Sequence, residues 1–138
     1  MTRALLACCL LLGACAGPLP ERDSQQAWVE IYTEPGNVLL AERRDRLPVN
    51  DGRYYQLTPG AHSLQLRLQF DLPGGSGLNQ SGGGSQRTCL FGLDYAKFQA
   101  GQSYRIAGGQ RGYRGWVRLY DSQHQVLARG REVHCGAL

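Results

Sequence analysis

Cysteine is the residue type in this chain with the most evident chemistry. Three of the five cysteines, Cys8, Cys9 and Cys15, lie near the amino terminus, whereas Cys89 and Cys135 lie far from them. A pair of thiols can form a disulfide, bind a metal ion or supply a nucleophile. The sequence has no Cys-x-x-Cys pair, and no signature of a catalytic cysteine surrounds Cys89. We therefore predict a disulfide between Cys89 and Cys135, with a metal site or a catalytic thiol as the alternatives.

The predicted disulfide would close a loop of 46 residues. Restricting the unfolded chain over a loop of that size stabilises the folded state by about 4 kcal/mol in the chain-entropy model. That value is comparable with the net stability of a small domain. We expect the bond to fix the carboxyl-terminal end of the chain.

Cations and aromatic rings occur together between residues 110 and 116. Guanidinium groups match the geometry of carboxylates and phosphates, and aromatic rings offer flat contact area. The chain after Gly84 also has eight basic residues against three acidic ones. We predict a contact surface for an acidic protein or an anionic glycan; the alternative is a solvated loop whose tryptophan only covers the core. The predicted contact residues are Arg111, Tyr113, Arg114 and Trp116.

Other residue types give no catalytic pattern. His62, His124 and His134 are isolated in the sequence, and we expect them to be exposed. Neither Gly-x-Ser-x-Gly nor His-Glu-x-x-His occurs, and the carboxylates are scattered. The glycine-rich segment 73–85 lacks the Gly-Lys-Ser/Thr of a phosphate-binding loop. We therefore expect no enzymatic activity, no cofactor and no metal site.

The first fourteen residues have the pattern of a secretory signal. Arg3 provides a positive start, and residues 4–14 are an apolar run. Crossing a membrane takes about 20 apolar residues, and Gly17, Pro18 and Pro20 interrupt this run too early for that. Export would bring the protein into an oxidising compartment, which favours the predicted disulfide.

The end of the apolar run reads Leu12-Gly13-Ala14-Cys15, and it resembles the lipobox of bacterial lipoproteins. The resemblance implies cleavage before Cys15 and acylation of that cysteine, with palmitate-type chains holding the protein on a membrane. Several acyl chains make such attachment stable. In such families an Asp after the cysteine favours the inner membrane, so Ala16 implies the outer membrane and its periplasmic face. The alternative is an ordinary secretory signal cut near Ala16.

The net charge and the length limit the possible partners and the number of domains. The 138 residues carry a formal net charge of +4, which is too small to indicate nucleic-acid binding. Export argues against a nucleic-acid partner independently. We predict a signal peptide over 1–14, a lipidated tether over 15–26 and one domain over 27–138.

Hydrophobic periodicity predicts an all-β domain. Leu64, Leu66, Leu68, Phe70 and Leu72 alternate with polar residues, which is typical of a strand with one buried face. Turn residues such as Pro, Gly, Asn and Asp separate the apolar runs. We predict a small, mostly antiparallel β-sandwich of about eight short strands. Their predicted ranges are 28–33, 38–42, 53–57, 63–72, 87–93, 103–107, 115–120 and 125–129.

Two segments have the composition of flexible connections. Residues 16–26 are polar and contain two prolines, so we expect a tether without core contacts. Residues 73–85 are rich in glycine and serine and contain Leu78 as their one large apolar residue, which predicts a long mobile hairpin tip.

A further resemblance concerns residues 50–66. Asn50-Asp51-Gly52 and the later Leu57-Thr58-Pro59-Gly60-Ala61-His62 resemble PEGA-type surface-layer domains, in which an Asp-Gly turn accompanies a Leu-x-Pro-Gly-x-His corner. Residues 98–106 are similar to the Gly-x-x-Tyr strand entry of short proteobacterial lipoproteins. The resemblance implies a small sandwich for envelope interactions and no catalytic residues.

These observations indicate a non-catalytic envelope lipoprotein that acts as an accessory or binding module. Its expected partners are the membrane, through the lipid, and an envelope protein or anionic glycan. The alternative function is inhibition of a lysozyme or another envelope-directed hydrolase. Lysozymes are usually cationic, so a net-positive inhibitor would lack electrostatic steering toward them.

Overall fold

The computed structural model describes residues 17–73 and 85–136. The predicted signal peptide, the lipidation site Cys15 and most of the glycine-rich tip therefore lie outside the described residues. The described chain forms ten β-strands. They are β1 (Ala27–Thr33), β2 (Val38–Arg44), β3 (Leu47–Pro48), β4 (Tyr54–Leu57), β5 (Gly60–Asp71), β6 (Gln86–Phe98), β7 (Ser103–Arg111), β8 (Arg114–Tyr120), β9 (Val126–Arg129) and β10 (Arg131–Cys135). Over these residues, we find no helix with the length and apolar character needed to cross a membrane.

The strands form two sheets of five strands each. Sheet A has the order β4-β1-β7-β8-β9, and sheet B has the order β10-β6-β5-β2-β3. Strands β1 and β7 pair in parallel, and the other pairs are antiparallel. The predicted all-β, mostly antiparallel sandwich is confirmed.

The core lies between the two sheets and is formed by the apolar residues that alternate with polar ones along the strands. In β5, Leu64, Leu66, Leu68 and Phe70 are buried, and the residues between them are more exposed. Inward side chains of sheet A, such as Ile106, meet them from the other side. Burial of these apolar side chains is the main source of stability in such a sandwich.

All eight predicted strands are present, and two more lie at sheet edges. Strand β3 has only two residues, too few for alternation to be visible in the sequence. Strand β10 is mostly exposed, with a register shift between Glu132 and His134, so its polar residues show no buried face. Strands β6 and β7 also extend beyond the predicted ranges, to Phe98 and Arg111.

The disulfide between Cys89 and Cys135 is confirmed. The two cysteines face each other in the β6–β10 register, with Cα atoms 4.1 Å apart. The carboxylate of Glu132 lies within 4.8 Å of both sulfur atoms. Since thiolates are the metal-binding form of cysteine, the oxidised sulfurs do not make a ligand set with this carboxylate. The bond ties the edge strand β10 to buried Cys89.

Part of the segment before β1 contacts the domain on the outward side and the edge of sheet A, whereas a tether without contacts to the core between the sheets stays a prediction. The Arg22 guanidinium lies 5.1 Å from the ring centroid of buried Trp28, and its Nη1 donates to the Ser103 hydroxyl oxygen at 2.9 Å. The Gly17 carbonyl accepts from Arg53 Nη1 at 3.0 Å. A guanidinium is attracted to the face of an aromatic ring, and composition alone does not reveal that contact.

Candidate functional site

The outward side of sheet A is formed by alternate residues of β7 and β8. A Cβ atom on Gly108 would meet Leu39 at 2.9 Å, and one on Gly115 would meet Leu68 at 2.7 Å, so both positions face the core. The positions between them face outward. We call this surface the basic face, and its outward cations are Arg105, Arg111, Arg114, Arg118 and Arg129.

The predicted contact residues lie together at one end of the basic face. Arg111 and Arg114 are paired across the β7–β8 hairpin, and both are exposed. Gly112 has a φ of 62°, which suits the first central residue of a two-residue hairpin turn. Tyr113 is 59% exposed at the tip. Their placement at a surface hairpin is compatible with the predicted contact role.

Trp116 lies in β8 rather than in a loop, and it faces outward. Its ring approaches the position that a Cβ atom on Gly109 would take, at 3.2 Å. The guanidinium of Arg118 lies 5.3 Å from the centroid of the ring. Trp116 is therefore half-buried by neighbours on the basic face and does not cover the core between the sheets.

Sequence reasoning missed the part of the basic face nearer to β1. Arg105 Nε donates to a Glu30 carboxylate oxygen at 2.5 Å, and the same guanidinium lies 5.3 Å from the ring centroid of Tyr32. Tyr32 is 50% exposed. In β7, Arg105 alternates with buried Tyr104 and Ile106, and this alternation indicates that Arg105 faces outward. Recognising Arg105 as part of the surface required following the alternation along the whole strand.

Trp28 occupies the side of sheet A next to the tether. Its ring stacks on Tyr54 with centroids 4.6 Å apart and an interplanar angle of 8°. Arg22 lies over the ring as well, and Trp28 as a whole is only 4% exposed. Three aromatic rings of this surface, those of Trp28, Tyr32 and Trp116, thus each have an arginine over them.

Comparison with known protein families, with curated proteins and with solved structures finds no match to this chain.

A polar cleft of about 210 Å³ borders the basic face. It lies between Arg22, the Glu30–Arg105 pair and the β8–β9 turn that contains Asp121 and His124. The Asp121 carboxylate accepts from the backbone amides of Gln123 and Gln125, so it shapes the turn. Because charges of both signs line this cleft, it does not select an anion as clearly as the basic face does.

A second cluster surrounds His62, and it corrects the expectation that this histidine is exposed. The His62 side chain is 9% exposed. Its Nδ1 lies 2.6 Å from Asp45 Oδ2, and its Nε2 lies 2.7 Å from the Thr58 carbonyl oxygen. The Asp45 carboxylate and the Thr58 carbonyl oxygen are both hydrogen-bond acceptors, and one of them lies at each ring nitrogen. We call Asp45, Thr58, His62, Ser63 and Asp94 the His62 corner.

The His62 corner does not supply the contacts of a serine nucleophile. The Ser63 hydroxyl donates to Asp94 Oδ1 at 2.5 Å, and its backbone amide donates to Asp45 Oδ1 at 2.9 Å. His62 is engaged by other acceptors on both nitrogens. A catalytic histidine must instead contact the hydroxyl that it deprotonates. The cluster fixes the turn at Asp45, where φ is 48°, onto the start of β5.

The carboxylates of this corner are stabilised in their ionised form. Partial burial opposes ionisation of Asp45, but hydrogen bonds from the Ser63 amide and from His62 outweigh it, so the pKa of Asp45 is lowered. Hydrogen bonds from the Ser63 hydroxyl and the Arg131 guanidinium lower the pKa of Asp94.

These two shifts predict a loss of stability in acid. A carboxyl group whose pKa is lower in the folded state stabilises the fold above its ordinary pKa, and that contribution is lost as the pH falls toward the folded-state pKa. We expect the denaturant midpoint to decrease as the pH is lowered below about 4. The replacement Asp45→Asn should make this decrease smaller. Chemical denaturation between neutral and acid pH measures both effects.

A control for the loss of one negative charge is Asp71→Asn, at the exposed end of β5. This variant should keep more of the wild-type acid dependence than Asp45→Asn does. Equal acid dependence in Asp45→Asn and wild type would contradict the role of the His62 corner.

Proposed function

We propose that this chain is a non-catalytic lipoprotein of the bacterial cell envelope. In this proposal Cys15 carries the lipid, the outer membrane holds the protein on its periplasmic face, and the β-sandwich acts as an accessory or binding module. The PEGA-like corner and the lipobox resemblance support the assignment to this broad class. The basic face is the surface through which the module binds an anionic component of the envelope.

The observation that carries the proposal is the surplus of unpaired guanidinium groups on the basic face. Within the described parts of the chain, no carboxylate lies within 4.0 Å of the guanidinium nitrogens of Arg111, Arg114, Arg118 or Arg129. Arg105, by contrast, pairs with Glu30. Arginine presents several donors in a fixed plane, so these groups suit a ligand with carboxylate or phosphate oxygens.

The anchor is tested by the replacement Cys15→Ser. A serine cannot form the thioether that holds the diacylglycerol, so we expect complete loss of the acyl mass and accumulation of uncleaved precursor. Intact-mass spectrometry and detergent-phase partitioning of the protein from membranes measure the two effects. The wild-type protein should begin at Cys15 and carry the mass of its acyl chains.

Cys9→Ser is the matched control, because Cys9 lies within the segment that the peptidase discards. This variant should be cleaved and acylated like the wild type. A wild-type protein without acyl mass that is recovered as a soluble periplasmic species would overturn the lipoprotein proposal.

A further inference from the structure

The tether runs toward one side of the sandwich. Its Arg22 lies on the outward ring of Trp28, and its Gly17 carbonyl is bound by Arg53 just before β4, at the edge of sheet A. Cys15 is two residues before Gly17. Two residues of extended chain reach about 7 Å. An anchor on Cys15 therefore stays within about 7 Å of Gly17, at the edge where the segment before β4 also bonds β2 of sheet B, while Arg22 holds the tether on the outward side of sheet A.

The same side of the molecule carries the unpaired charge. The outward arginines of β7, β8 and β9 are spread along the sheet instead of converging in a pocket. Glu30 is already paired with Arg105, and Glu34 lies against Gly109 beside Trp116. A broad cationic surface of this kind matches a broad anionic surface better than a single small ligand.

Exposed apolar and amphipathic groups accompany these cations. Tyr32 is 50% exposed, Tyr113 is 59% exposed, and Leu19 of the tether is 50% exposed. Tyrosine rings are favoured where the headgroups of a bilayer meet its hydrocarbon, since one end is apolar and the other is polar. The aromatic faces that a sugar ring would stack upon are less available, because arginines lie over Trp28 and Trp116.

We propose that the basic face lies against the anionic lipid surface in which the protein's own anchor is inserted. The inference rests on the proposed lipoprotein function and names the anionic component as lipid phosphate. The anchor supplies attachment, and the arginines set the orientation, so that sheet A faces the bilayer and sheet B faces away from it. The His62 corner and the disulfide are then on the part of the molecule directed to the periplasm.

The test uses a chain that starts at Ala16 and has no lipid. All ten strands and the disulfide lie after Gln26, so this chain keeps every element of the fold. We expect it to sediment with vesicles of phosphatidylcholine and phosphatidylglycerol and not with phosphatidylcholine alone. Binding should weaken as salt rises, because exposed charges are screened over about 8 Å at physiological ionic strength.

The diagnostic variant is Arg111→Gln with Arg114→Gln. Each basic residue at an anionic bilayer increases partitioning about fivefold, so we expect the loss of two to reduce partitioning about 25-fold. Arg43→Gln with Arg46→Gln is the matched control, since Arg43 is exposed near the end of β2 and Arg46 is exposed in the tight β2–β3 turn of sheet B. The control should bind vesicles like the wild type. Hydrogen exchange on vesicles should slow at the β7–β8 hairpin and not at the β2–β3 turn.

Absence of binding to anionic vesicles would overturn the inference, as would equal losses in the two double variants. Binding to soluble dextran sulfate without binding to vesicles would also overturn it and make an anionic glycan the ligand of the basic face. Because this chain lacks Cys15, vesicle binding is independent of acylation. Intact-mass spectrometry of the full-length protein tests the lipoprotein proposal separately, because it detects the acyl chains directly.

Discussion

Removing the disulfide should lower the free energy of unfolding by up to about 4 kcal/mol. The bond closes a loop of 46 residues, and its loss frees the unfolded chain over that length. It also leaves strand β10 attached to β6 through backbone pairing at an exposed sheet edge. Urea unfolding of the chain from Ala16, with both Cys89→Ala and Cys135→Ala, measures the change.

Reduction provides an independent control for the same bond. A reductant should bring the wild-type midpoint close to that of the double variant, and it should leave the double variant unchanged. Because Cys15 is missing from the shortened chain, a thiol assay on the unreduced protein reports only Cys89 and Cys135. Two reactive thiols in the folded protein would contradict the disulfide.

Phe98→Ala should destabilise the domain by about 3 to 5 kcal/mol, because it removes a buried aromatic ring and leaves a cavity. Phe98 is 2% exposed at the end of β6. Its ring meets Tyr95 and Tyr104 edge-on, with centroids 4.9 and 5.1 Å apart. The Tyr104 hydroxyl in turn accepts from the backbone N–H of Gln99, which ties the turn after β6 to this cluster. Thermal and denaturant unfolding measure the loss.

Tyr113→Ala is the contrasting variant, since it also removes an aromatic ring but at a position that is 59% exposed. A surface substitution of this kind should change the free energy of unfolding by no more than about 0.5 kcal/mol. If the two variants were equally stable, Phe98 could not be part of the packed core.

The sequence predicts those parts of the fold in which local pattern and tertiary packing agree. Strand β5 was predictable because four apolar residues alternate with polar ones and all four face the core. The edge strand β10 was not, since an exposed strand has no periodic apolar residue to reveal it. It is joined to β6 by backbone pairing and by the Cys89–Cys135 bond.

The basic face was predicted only at its tip. Arg111, Tyr113, Arg114 and Trp116 are close in sequence, so composition revealed them. The cations and rings that complete the face come from separate strands, and only the β1–β7–β8–β9 order brings them together. The contact between Asp45 and His62 depends in the same way on β2 lying beside β5. No sequence motif around Asp45 or His62 indicates that the two residues are in contact.

The parallel pairing of β1 with β7 has a consequence for how the chain reaches its native state. Thr33 and Gly108 lie side by side in this pair but are 75 residues apart in the chain. Ordering so long an intervening segment costs entropy before the contact stabilises anything. Sheet B can begin from the neighbouring strands β5 and β6, whereas the centre of sheet A must wait for the last third of the chain. Such non-local topology is associated with folding in milliseconds to seconds, so we expect the pairing of β1 with β7 to form late.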